Sequence, residues 1–548
     1  KNSQKRKMIP AILSPHLLFY FCFQACLLIL GADAFSLPSS SMTANAGIVR
    51  LNQERESVAE TVSPAVEDDL EEEPESSSFD WESQWYPLFP LSQLDETMPQ
   101  ACTVLGKKIV VWKSGNDTWS AMEDTCPHRK TSLSIGKLVP TADDGSCNIA
   151  CRMHGWEFNT DGSCAKVPMM DRTLTSSDKK SFGTISYPTK VAGDMLWAFL
   201  NPSVEIEAIP EIPGNVTLPN ENFFWIHAFD VNPVSYESMV ENSFDPSHAP
   251  FVHEGVASGG NIFSPKSALP MQEYRIVDEL SPSGFSMENS PYEQGKDGLP
   301  LTMRRFVAPC TQITEELGFS VRLQFVPQSK RETRVMLTIG FPKPKNKIIR
   351  RIMEFGLNND FLHTMTYLAD SRIKFGDQDR RIMMDQDERK MMDGKPWADM
   401  KPTTSDVGVA TFQKWTKTFG RGGPFVNLPA TSNTMATTSM WENHGQHCVR
   451  CKRTLKGLVT LEKRATKLSR VSLTLGVVTG LCRLLLGGAL KTTTANNKLL
   501  WPIVSSSWAI CLVASYLTRR LAEWSANVQG KMISTDISKR QLRDIYAY

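Results

Sequence analysis

The chain has 548 residues, and its 60 basic and 59 acidic residues leave a formal net charge of +1. This length predicts about two to four domains with enough apolar residues for their cores. The balanced charge excludes a protein that holds nucleic acid by bulk electrostatic attraction, so we expect no nucleic-acid partner. The 12 cysteines are dispersed and not framed as in a small secreted scaffold, which indicates metal or thiol chemistry.

The first 34 residues have the organisation of a cleaved signal peptide. Basic residues at positions 5–7 precede an apolar run over 9–30, and the small residues at 31–34 suit a signal-peptidase site. The alternative is a first membrane helix, which Pro10 and Pro15 disfavour. We therefore expect residues 1–34 to be removed from the mature protein.

Residues 35–78 are interpreted as a plastid transit segment followed by an acidic linker. Phe35 directly follows the proposed cleavage site, ahead of a stretch rich in Ser, Ala and Thr. This arrangement resembles the two-part address of algae with secondary red-lineage plastids. The acidic run 67–75 contains a proline and has nothing to bury, so we expect it to be a solvated linker.

A small antiparallel β domain is predicted over 79–205, where short apolar runs alternate with Gly, Asp and Pro. Within it, two turns each offer one thiolate and one imidazole: Cys126 with His128, and Cys151 with His154. A zinc finger groups its cysteines and histidines separately, whereas mixed turns fit a 2Fe-2S cluster with two Cys on one iron and two His on the other. We expect Cys147 and Cys164 to be unligated, and an enlarged surface turn near 140–148.

A second metal centre is predicted around His248 and His253. Their spacing brings both imidazoles to one side of a helix or helical turn, where they can share a metal. Two histidines and one carboxylate form the facial triad that leaves positions open for dioxygen on Fe(II). A coincidental pair of histidines is the alternative, and the acidic residues Glu241 and Asp245 of the same block disfavour it.

The two motifs together resemble the Rieske non-haem iron oxygenases. C-x-H with C-x2-H, the Gly-Trp after the second half and the block E-x3-D-x2-H-x4-H are all present. The resemblance implies a Rieske 2Fe-2S cluster and a mononuclear non-haem Fe(II), with Asp379 as the third iron ligand and Asp377 and Asp385 as competitors. It also implies that Asp245 links a Rieske histidine to an iron-binding histidine of the neighbouring subunit, usually in a homotrimer. Asn242 would lie near the iron.

The implied fold class is α+β. A small antiparallel-β Rieske domain would be followed by a catalytic domain over 206–460, in which helices cap an antiparallel sheet. Residues 301–347 support this sheet, because apolar and charged residues alternate there as in a sheet with one face in water.

A C-x2-C motif, Cys448 and Cys451, closes the catalytic domain. We interpret it as a redox switch addressed by thioredoxin, as the resemblance implies. Two alternatives stay open: half a zinc site with His444 and His447, or two inert thiols.

A transmembrane helical hairpin is predicted over 461–520, followed by a tail over 521–548. The apolar stretches 471–490 and 499–517 have about the length that a bilayer requires, although Arg483 interrupts the first. Basic residues at the outer ends of the hairpin predict that the catalytic domains face the stroma from a plastid membrane, either envelope or thylakoid. A buried hairpin of a soluble domain is the alternative.

The resemblance narrows to one group of plant and algal plastid proteins. Asp80-Trp81 and Trp85-Tyr86-Pro87 ahead of the cluster, the His/Cys motif that begins at Trp441, and the hairpin resemble the group of pheophorbide a oxygenase, chlorophyllide a oxygenase and the inner-envelope translocon Rieske protein. The group implies reduced ferredoxin, dioxygen and a chlorophyll-derived tetrapyrrole as partners. Ring opening of pheophorbide a is the favoured reaction. Methyl hydroxylation of a chlorophyllide, and a redox-sensing or electron-transfer component of the translocon, are the alternatives.

Overall fold

The computed structural model describes a large part of the chain beyond residue 78. The described residues are 79–141, 146–217, 223–254, 274–289, 301–316, 319–369, 375–393, 401–426, 440–490 and 500–533. The predicted signal peptide, transit segment and acidic linker, and the tail beyond 533, lie outside them. The chain divides into two units, one of 74–343 and 351–548 and one of 1–73 and 344–350. The sheets and sites described below belong to the unit of 74–343 and 351–548.

The N-terminal part of the described chain is built of short antiparallel strands. They are β1 (Trp85–Pro90), β2 (Gln100–Val104), β3 (Lys107–Lys113), β4 (Trp119–Glu123), β5 (Lys137–Pro140), β6 (Cys147–Ala150), β7 (Glu157–Phe158), β8 (Cys164–Lys166), β9 (Ser186–Tyr187), β10 (Thr189–Ala192) and β11 (Met195–Phe199). The described strands form sheets in the orders β1-β11-β10, β2-β3-β4-β9 and β5-β6-β7-β8.

Strand β3 explains how these sheets share two cores. Its apolar run is buried on both faces, because successive side chains of a strand point to opposite sides. Ile109 and Val111 enter a core shared with β1 and β11, whereas Val110 and Trp112 enter a smaller core that includes Cys126 and other residues of the two predicted cluster turns. The strand therefore ties the cluster turns to the rest of the molecule.

A seven-stranded antiparallel sheet follows. Its strands are β12 (Phe223–Asn232), β13 (Tyr274–Ile276), β14 (Gly284–Asn289), β15 (Thr302–Val307), β16 (Thr311–Glu316), β17 (Phe319–Ser329) and β18 (Glu332–Pro342). Their order is β12-β18-β17-β16-β15-β14-β13. The sheet predicted for 301–347 is present, and the α+β class is confirmed for the described residues.

The prediction that the polar face of this sheet lies in water is wrong. Arg322, Gln324 and Thr338 occupy the polar side of the alternation, and all three are buried. Their apolar neighbour Leu323 is only partly buried. The polar face is covered by the N-terminal part of the unit, where the Arg322 side chain donates a hydrogen bond to the Asn215 carbonyl at 3.4 Å. The alternation of apolar and charged residues identified the strands, but it did not show which part of the protein packs on each face of the sheet.

A buried guanidinium joins the N-terminal sheets to the large sheet. Arg334 of β18 is 2% exposed, and its Nη1 donates a hydrogen bond to the Leu88 carbonyl of β1 at 3.0 Å. The guanidinium also lies over the rings of Phe89, at 4.6 Å, and Phe229, at 5.6 Å. Such contacts satisfy a buried charge that would otherwise be costly.

The described chain also contains helices, some of which contact the large sheet. They are α1 (Ser176–Ser181), α2 (Tyr236–Phe244), α3 (Ala249–Val252), α4 (Lys347–Asn358), α5 (Asp360–Ala369), α6 (Phe375–Asp393), α7 (Val407–Thr418), α8 (Met440–Asn443), α9 (Val449–Leu490) and α10 (Leu500–Ile533). Short 3-10 turns occur at Leu91–Gln93, Leu133–Ile135, Ile206–Ala208, Thr404–Asp406 and Gly445–His447. Ser235 caps α2, where its Oγ accepts a hydrogen bond from the Ser238 amide at 3.2 Å.

The long helices α9 and α10 form the predicted hairpin and pack against each other. Their contact includes polar groups: Ser469 Oγ donates to the Ser515 carbonyl at 3.0 Å, and Ser525 Oγ to the Leu458 carbonyl at 2.8 Å. Within the described residues, no helix combines the length and the apolar character that crossing a membrane requires.

The transmembrane assignment of 461–520 is therefore not supported. Serines, threonines, glycines and Arg483 dilute the first apolar run, and the serines at 505–507 dilute the second. The predicted stromal orientation rested on the same hairpin and loses its basis with it.

Candidate metal centres

The two predicted cluster turns have nearly the same backbone geometry. In each, the cysteine carbonyl accepts a hydrogen bond at 2.9 Å from the amide four residues on, Lys130 for Cys126 and Gly155 for Cys151. The Cys126 amide donates at 2.8 Å to the Thr131 carbonyl, and the Cys151 amide donates at 2.8 Å to the Trp156 carbonyl. Lys130 and Gly155 both have positive φ, 58° and 72°, which glycine adopts freely and which costs lysine about 1 kcal/mol. The fold thus builds one turn twice.

These turns bury the two cysteines and bring the two histidines together above them. The ring centroids of His128 and His154 are 4.5 Å apart, and His128 stacks on Trp156 with centroids 4.8 Å apart. Cys126 and Cys151 are each 2% exposed. Burial raises the pKa of the Cys126 thiol to about 11, and the adjoining Cys151 thiol adds to this rise. A bound cation would instead favour the thiolates.

The chemistry of the four side chains fits a two-iron cluster. Each turn offers one buried cysteine and one histidine nearer the surface. A 2Fe-2S cluster in which two Cys would hold one iron and two His the other uses this donor set.

The enlarged turn lies away from the cysteine ligands. Pro140 pairs with Cys147 across β5 and β6, and Thr141 donates an amide hydrogen bond to the Ser146 carbonyl at 2.9 Å. The turn therefore sits at the end of β6 opposite to Cys151, and residues 142–145 lie outside the described part.

The structure brings the three predicted iron ligands together. His248 precedes the short helix α3 and His253 follows it, so that one helical turn presents both rings. Asp379 of α6 reaches both: its Oδ1 is 3.6 Å from His248 Nε2 and 3.3 Å from His253 Nε2. All three side chains are largely buried, with exposed fractions of 19%, 3% and 13% respectively.

Polar groups lie beside the Nδ1 atoms of both imidazoles, and one of them orients His253 for metal binding. His253 Nδ1 lies 2.9 Å from Gln378 Oε1, so a proton on Nδ1 leaves the Nε2 lone pair facing Asp379. His248 Nδ1 lies 3.5 Å from Asp245 Oδ2. Asp379 Oδ1 is buried and has no hydrogen-bond partner. An orphaned carboxylate oxygen between two Nε2 atoms is the donor set that a divalent iron uses.

Burial and the neighbouring charges have opposite effects on the pKa values of the three side chains. Burial raises the pKa of Asp379, although His248, His253 and a hydrogen bond from Asn242 act against the rise. Burial lowers the pKa of His253. Burial would lower the pKa of His248 too, but the carboxylates of Asp245 and Asp379 outweigh it and the pKa is raised. Asn242 thus lies beside Asp379.

The competitors of Asp379 differ in their surroundings. Asp385 is exposed and pairs with Arg389 at 2.9 Å, and the side chain of Asp377 lies outside the described residues. Asp245 accepts a hydrogen bond from the Ser247 amide at 2.8 Å, and its pKa is lowered because His248 and Ser247 outweigh the effect of burial.

A polar clamp that sequence reasoning missed holds α6 against α2. Asp387 accepts hydrogen bonds from the Ser235 amide at 2.6 Å, Ser235 Oγ at 2.8 Å and Ser238 Oγ at 2.5 Å. Lys390 Nζ lies 3.2 Å from Glu241 Oε2. Glu241, part of the predicted iron motif, therefore fastens the helices. Asp387 and Lys390, eight and eleven residues after Asp379, lie on the same side of the helix as Asp379. This spacing could have been read from the sequence.

The C-x2-C motif lies in a separate buried group. Cys448 and Cys451 are each 0% exposed, and their sulfur atoms join ligand atoms of His363 and His444 within 4.8 Å of one another. His447, the expected partner, is not in this group. His363 lies on α5, far upstream of the motif, and nothing in the sequence pattern marks it.

Comparisons with known proteins find a Rieske domain and chloroplastic relatives. Residues 84–188 match the model of the Rieske [2Fe-2S] domain. The chain is 26% identical over 448 residues to protochlorophyllide-dependent translocon component 52 of Arabidopsis thaliana, covering 71% of this chain and 76% of that protein. It is 25% identical over 444 residues to pheophorbide a oxygenase of the same plant, covering 72% and 76%. It is 30% identical over 179 residues to chlorophyllide a oxygenase of Chlamydomonas reinhardtii, covering 32% and 25%.

The chain contains a Rieske [2Fe-2S] domain and is similar to chloroplastic proteins that include pheophorbide a oxygenase and chlorophyllide a oxygenase. The resemblance drawn from the sequence is thus confirmed, and so are the two cofactors that it implied, a Rieske 2Fe-2S cluster and a mononuclear non-haem iron. The matched segment 84–188 contains both cluster turns, and the matches to the two Arabidopsis thaliana proteins cover 71% and 72% of this chain.

Proposed function

We propose that this chain is a plastid Rieske monooxygenase that uses reduced ferredoxin and dioxygen to oxygenate a chlorophyll-derived tetrapyrrole. Pheophorbide a ring opening is the favoured reaction. The observation that carries the proposal is the buried convergence of His248, His253 and Asp379 in a chain that also has a Rieske domain. An electron carrier without a substrate has no use for such an open iron site. Relatives named chloroplastic support the plastid assignment.

Each cofactor has a proposed set of protein ligands. The cluster would be held by Cys126, His128, Cys151 and His154, and the iron by His248, His253 and Asp379. When bound, the two centres supply one-electron transfer and dioxygen activation. We also propose 79–205 as the cluster domain and 206–460 as the catalytic domain, since these ranges contain the respective sets.

Residues around the iron ligands orient them. Gln378 accepts a hydrogen bond from His253 Nδ1 and so holds Nε2 toward Asp379. Asn242 donates a hydrogen bond to the Asp379 carboxylate. Because the histidines and Asp379 are largely buried, bulk water has little access to the ligand atoms.

Electrons would enter from ferredoxin at the exposed side of the cluster turns. His128 is exposed there, and Arg129, Lys130 and Arg152 are exposed beside it. Basic side chains around a redox centre attract an acidic electron carrier and raise the association rate.

Asp245 is the proposed link between the two centres. Its Oδ2 faces His248 Nδ1 at 3.5 Å, and 26% of its side chain is exposed, so a histidine of another subunit can approach it. The active unit would then be a homotrimer. In that arrangement Asp245→Asn keeps both metal centres and the trimer, measured by iron analysis and sedimentation, but lowers turnover because electron transfer is impaired. Unchanged turnover would contradict the role.

The decisive experiment is anaerobic reconstitution of the full chain with reduced ferredoxin, followed by dioxygen and a panel of chlorophyll-derived pigments. Mass analysis of the products separates the candidates. A ring-opened product from pheophorbide a supports the favoured reaction, and a hydroxylated methyl group on a chlorophyllide supports the alternative. Oxidation of the cluster without any pigment product would instead support an electron-transfer component of the translocon.

Matched variants connect the product to the proposed site. His248→Ala should abolish turnover and preserve the EPR signal of the reduced cluster, because it removes an iron ligand only. Cys126→Ser should remove that signal. His227→Ala is the control, since His227 pairs with Thr338 on the large sheet and belongs to neither set. Loss of both turnover and cluster signal in His248→Ala would show a structural role instead.

A further inference from the structure

Four buried side chains from three segments converge near the start of the hairpin, apart from both iron sites. His363 is on α5, His444 precedes the turn Gly445–His447, and Cys448 and Cys451 lie at the beginning of α9. His444, Cys448 and Cys451 are each 0% exposed. Neither the cluster nor the mononuclear iron uses any of them, so their juxtaposition needs its own explanation.

The orientation of His444 is the first observation that points to a ligand. Its Nδ1 lies 2.7 Å from the Phe229 carbonyl, which can only accept, so the proton is on Nδ1 and Nε2 carries a lone pair. That Nε2 atom is buried and has no hydrogen-bond partner. Tyr367 stacks on the ring, with centroids 3.5 Å apart and planes within 8°. The imidazole is therefore held rigidly, with its free nitrogen toward the thiols.

The distances among the other members are those of a metal site. Cys448 Sγ lies 3.4 Å from His363 Nε2. A sulfur and a nitrogen ligand of one tetrahedral zinc ion would be about 3.5 Å apart, given the usual Zn–S and Zn–N bond lengths. Thr364 Oγ1 lies 3.6 Å from Cys451 Sγ, within reach as a donor to a thiolate.

We propose that His363, His444, Cys448 and Cys451 form a structural zinc site that fastens the start of the α9–α10 hairpin to α5 and β12. Two thiolates and two imidazoles are the donor set that zinc prefers. Four protein ligands close the coordination sphere, so the site is structural and not catalytic. The hydrogen bond from His444 to the β12 carbonyl of Phe229 supplies the outer support typical of zinc-bound histidines.

The two other roles left open by the sequence explain less of this geometry. A thioredoxin-addressed switch needs thiols that the reductase can reach, whereas Cys448 and Cys451 are fully buried. Inert thiols give no reason for two imidazoles to converge on them with their ligand atoms within 4.8 Å of the sulfur atoms. Zinc accounts for both observations.

The test is the zinc content and zinc coordination of the full chain, purified with its iron centres. We expect about one zinc ion per chain by elemental analysis. X-ray absorption at the zinc edge should show two sulfur ligands at about 2.3 Å and two nitrogen ligands at about 2.0–2.1 Å. Protein without zinc that also binds none on titration, or a zinc shell of nitrogen and oxygen alone, would overturn the proposal.

Variants test whether the zinc is bound at the proposed site or at one of the iron sites. Cys451→Ser and His363→Gln should lower the zinc content by about tenfold or more, because each removes one ligand. His447→Gln is the matched control, since this neighbouring histidine lies outside the group. Cys126→Ser and His248→Ala should also retain zinc. Zinc that persists in Cys451→Ser, or is lost in Cys126→Ser, would sink the assignment.

Peptide mapping distinguishes a redox switch from a zinc site, and it uses the wild-type chain, so the result does not depend on the folding of a variant. Under non-reducing conditions the wild-type chain should yield Cys448 and Cys451 as free thiols once zinc is removed. A disulfide between them that thioredoxin reduces would establish the switch and refute the zinc site.

Discussion

The hydrogen bond between His253 and Gln378 determines which imidazole nitrogen faces Asp379. A sequence pattern identifies a histidine but carries no information about its tautomer, which depends on the group opposite Nδ1. For this reason the sequence predicted His253 and missed Gln378, one residue before the Asp379 that it proposed.

We expect Gln378→Leu to weaken iron binding by about 10- to 100-fold, because the tautomer and orientation of His253 are no longer fixed. Iron titration of the apoprotein measures the change. Gln446→Leu is the control, since Gln446 is exposed and its side chain donates a hydrogen bond to the Glu442 carbonyl. Equal iron affinity in Gln378→Leu and wild type would contradict the positioning role.

Glu241 gives a pH dependence of known sign. Burial raises its pKa to about 7, although Lys390 favours the charged form. Between its unfolded value near 4.5 and about 7, the folded state binds the extra proton, so this group's stabilising contribution is lost as pH rises through that window.

In Glu241→Gln this contribution disappears. The melting temperature of the variant relative to wild type should therefore rise from pH 5 to pH 7, by the equivalent of at most about 3 kcal/mol. The exposed Glu279, replaced by Gln, is the control. Parallel curves for Glu241→Gln and wild type would rule out the titration.

At the scale of elements, a clamp to α2 helps to hold helix α6, which carries Asp379, near the histidines. The predicted helical turn around His248 and His253, and the late helix with Asp379, both occur in the structure. Helical periodicity is a local property, so the sequence reveals it. The clamp of Asp387 and Lys390 on α2 is a contact between distant segments, which local patterns do not encode.

Asp387→Ala should destabilise the protein by about 3–5 kcal/mol, because it leaves three buried donors on Ser235 and Ser238 unpaired. Iron content should fall with it, as α6 separates from α2. Asp385→Ala, two residues away on the same helix and exposed, should cost about 0.5 kcal/mol or less. Thermal unfolding and iron analysis of both variants test the clamp, and similar behaviour of the pair would disprove it.

At the scale of the whole molecule, Arg334 joins the N-terminal sheets to the large sheet. Its position on the polar side of a strand favoured solvent exposure, yet that face packs against the N-terminal part. The alternation of polar and apolar residues does not show which face of the large sheet the N-terminal sheets cover. That is decided by how the sheets pack against each other in the tertiary structure.

Arg334→Met should lower stability by about 1–3 kcal/mol, since the Leu88 carbonyl loses its donor in a buried contact. Calorimetry should show a lower melting temperature, with partial separation of the transitions of the two sheet regions. Arg275→Met, which removes an exposed ion pair with Glu288 on the same large sheet, serves for comparison and should have little effect. An unchanged transition in Arg334→Met would contradict the joining role.

The sequence by itself determined the resemblance to Rieske oxygenases, the two cofactors, the α+β class and the positions of the two histidine-containing motifs. Each of these rests on residues close together in the chain, whose spacing is constrained by one turn of backbone. Only the tertiary structure brought Asp379 to His248 and His253 while leaving Asp385 exposed, placed His363 beside Cys448 and Cys451, and buried the polar face of the large sheet. These outcomes depend on contacts between segments that lie far apart in sequence, and no local pattern specifies such partners.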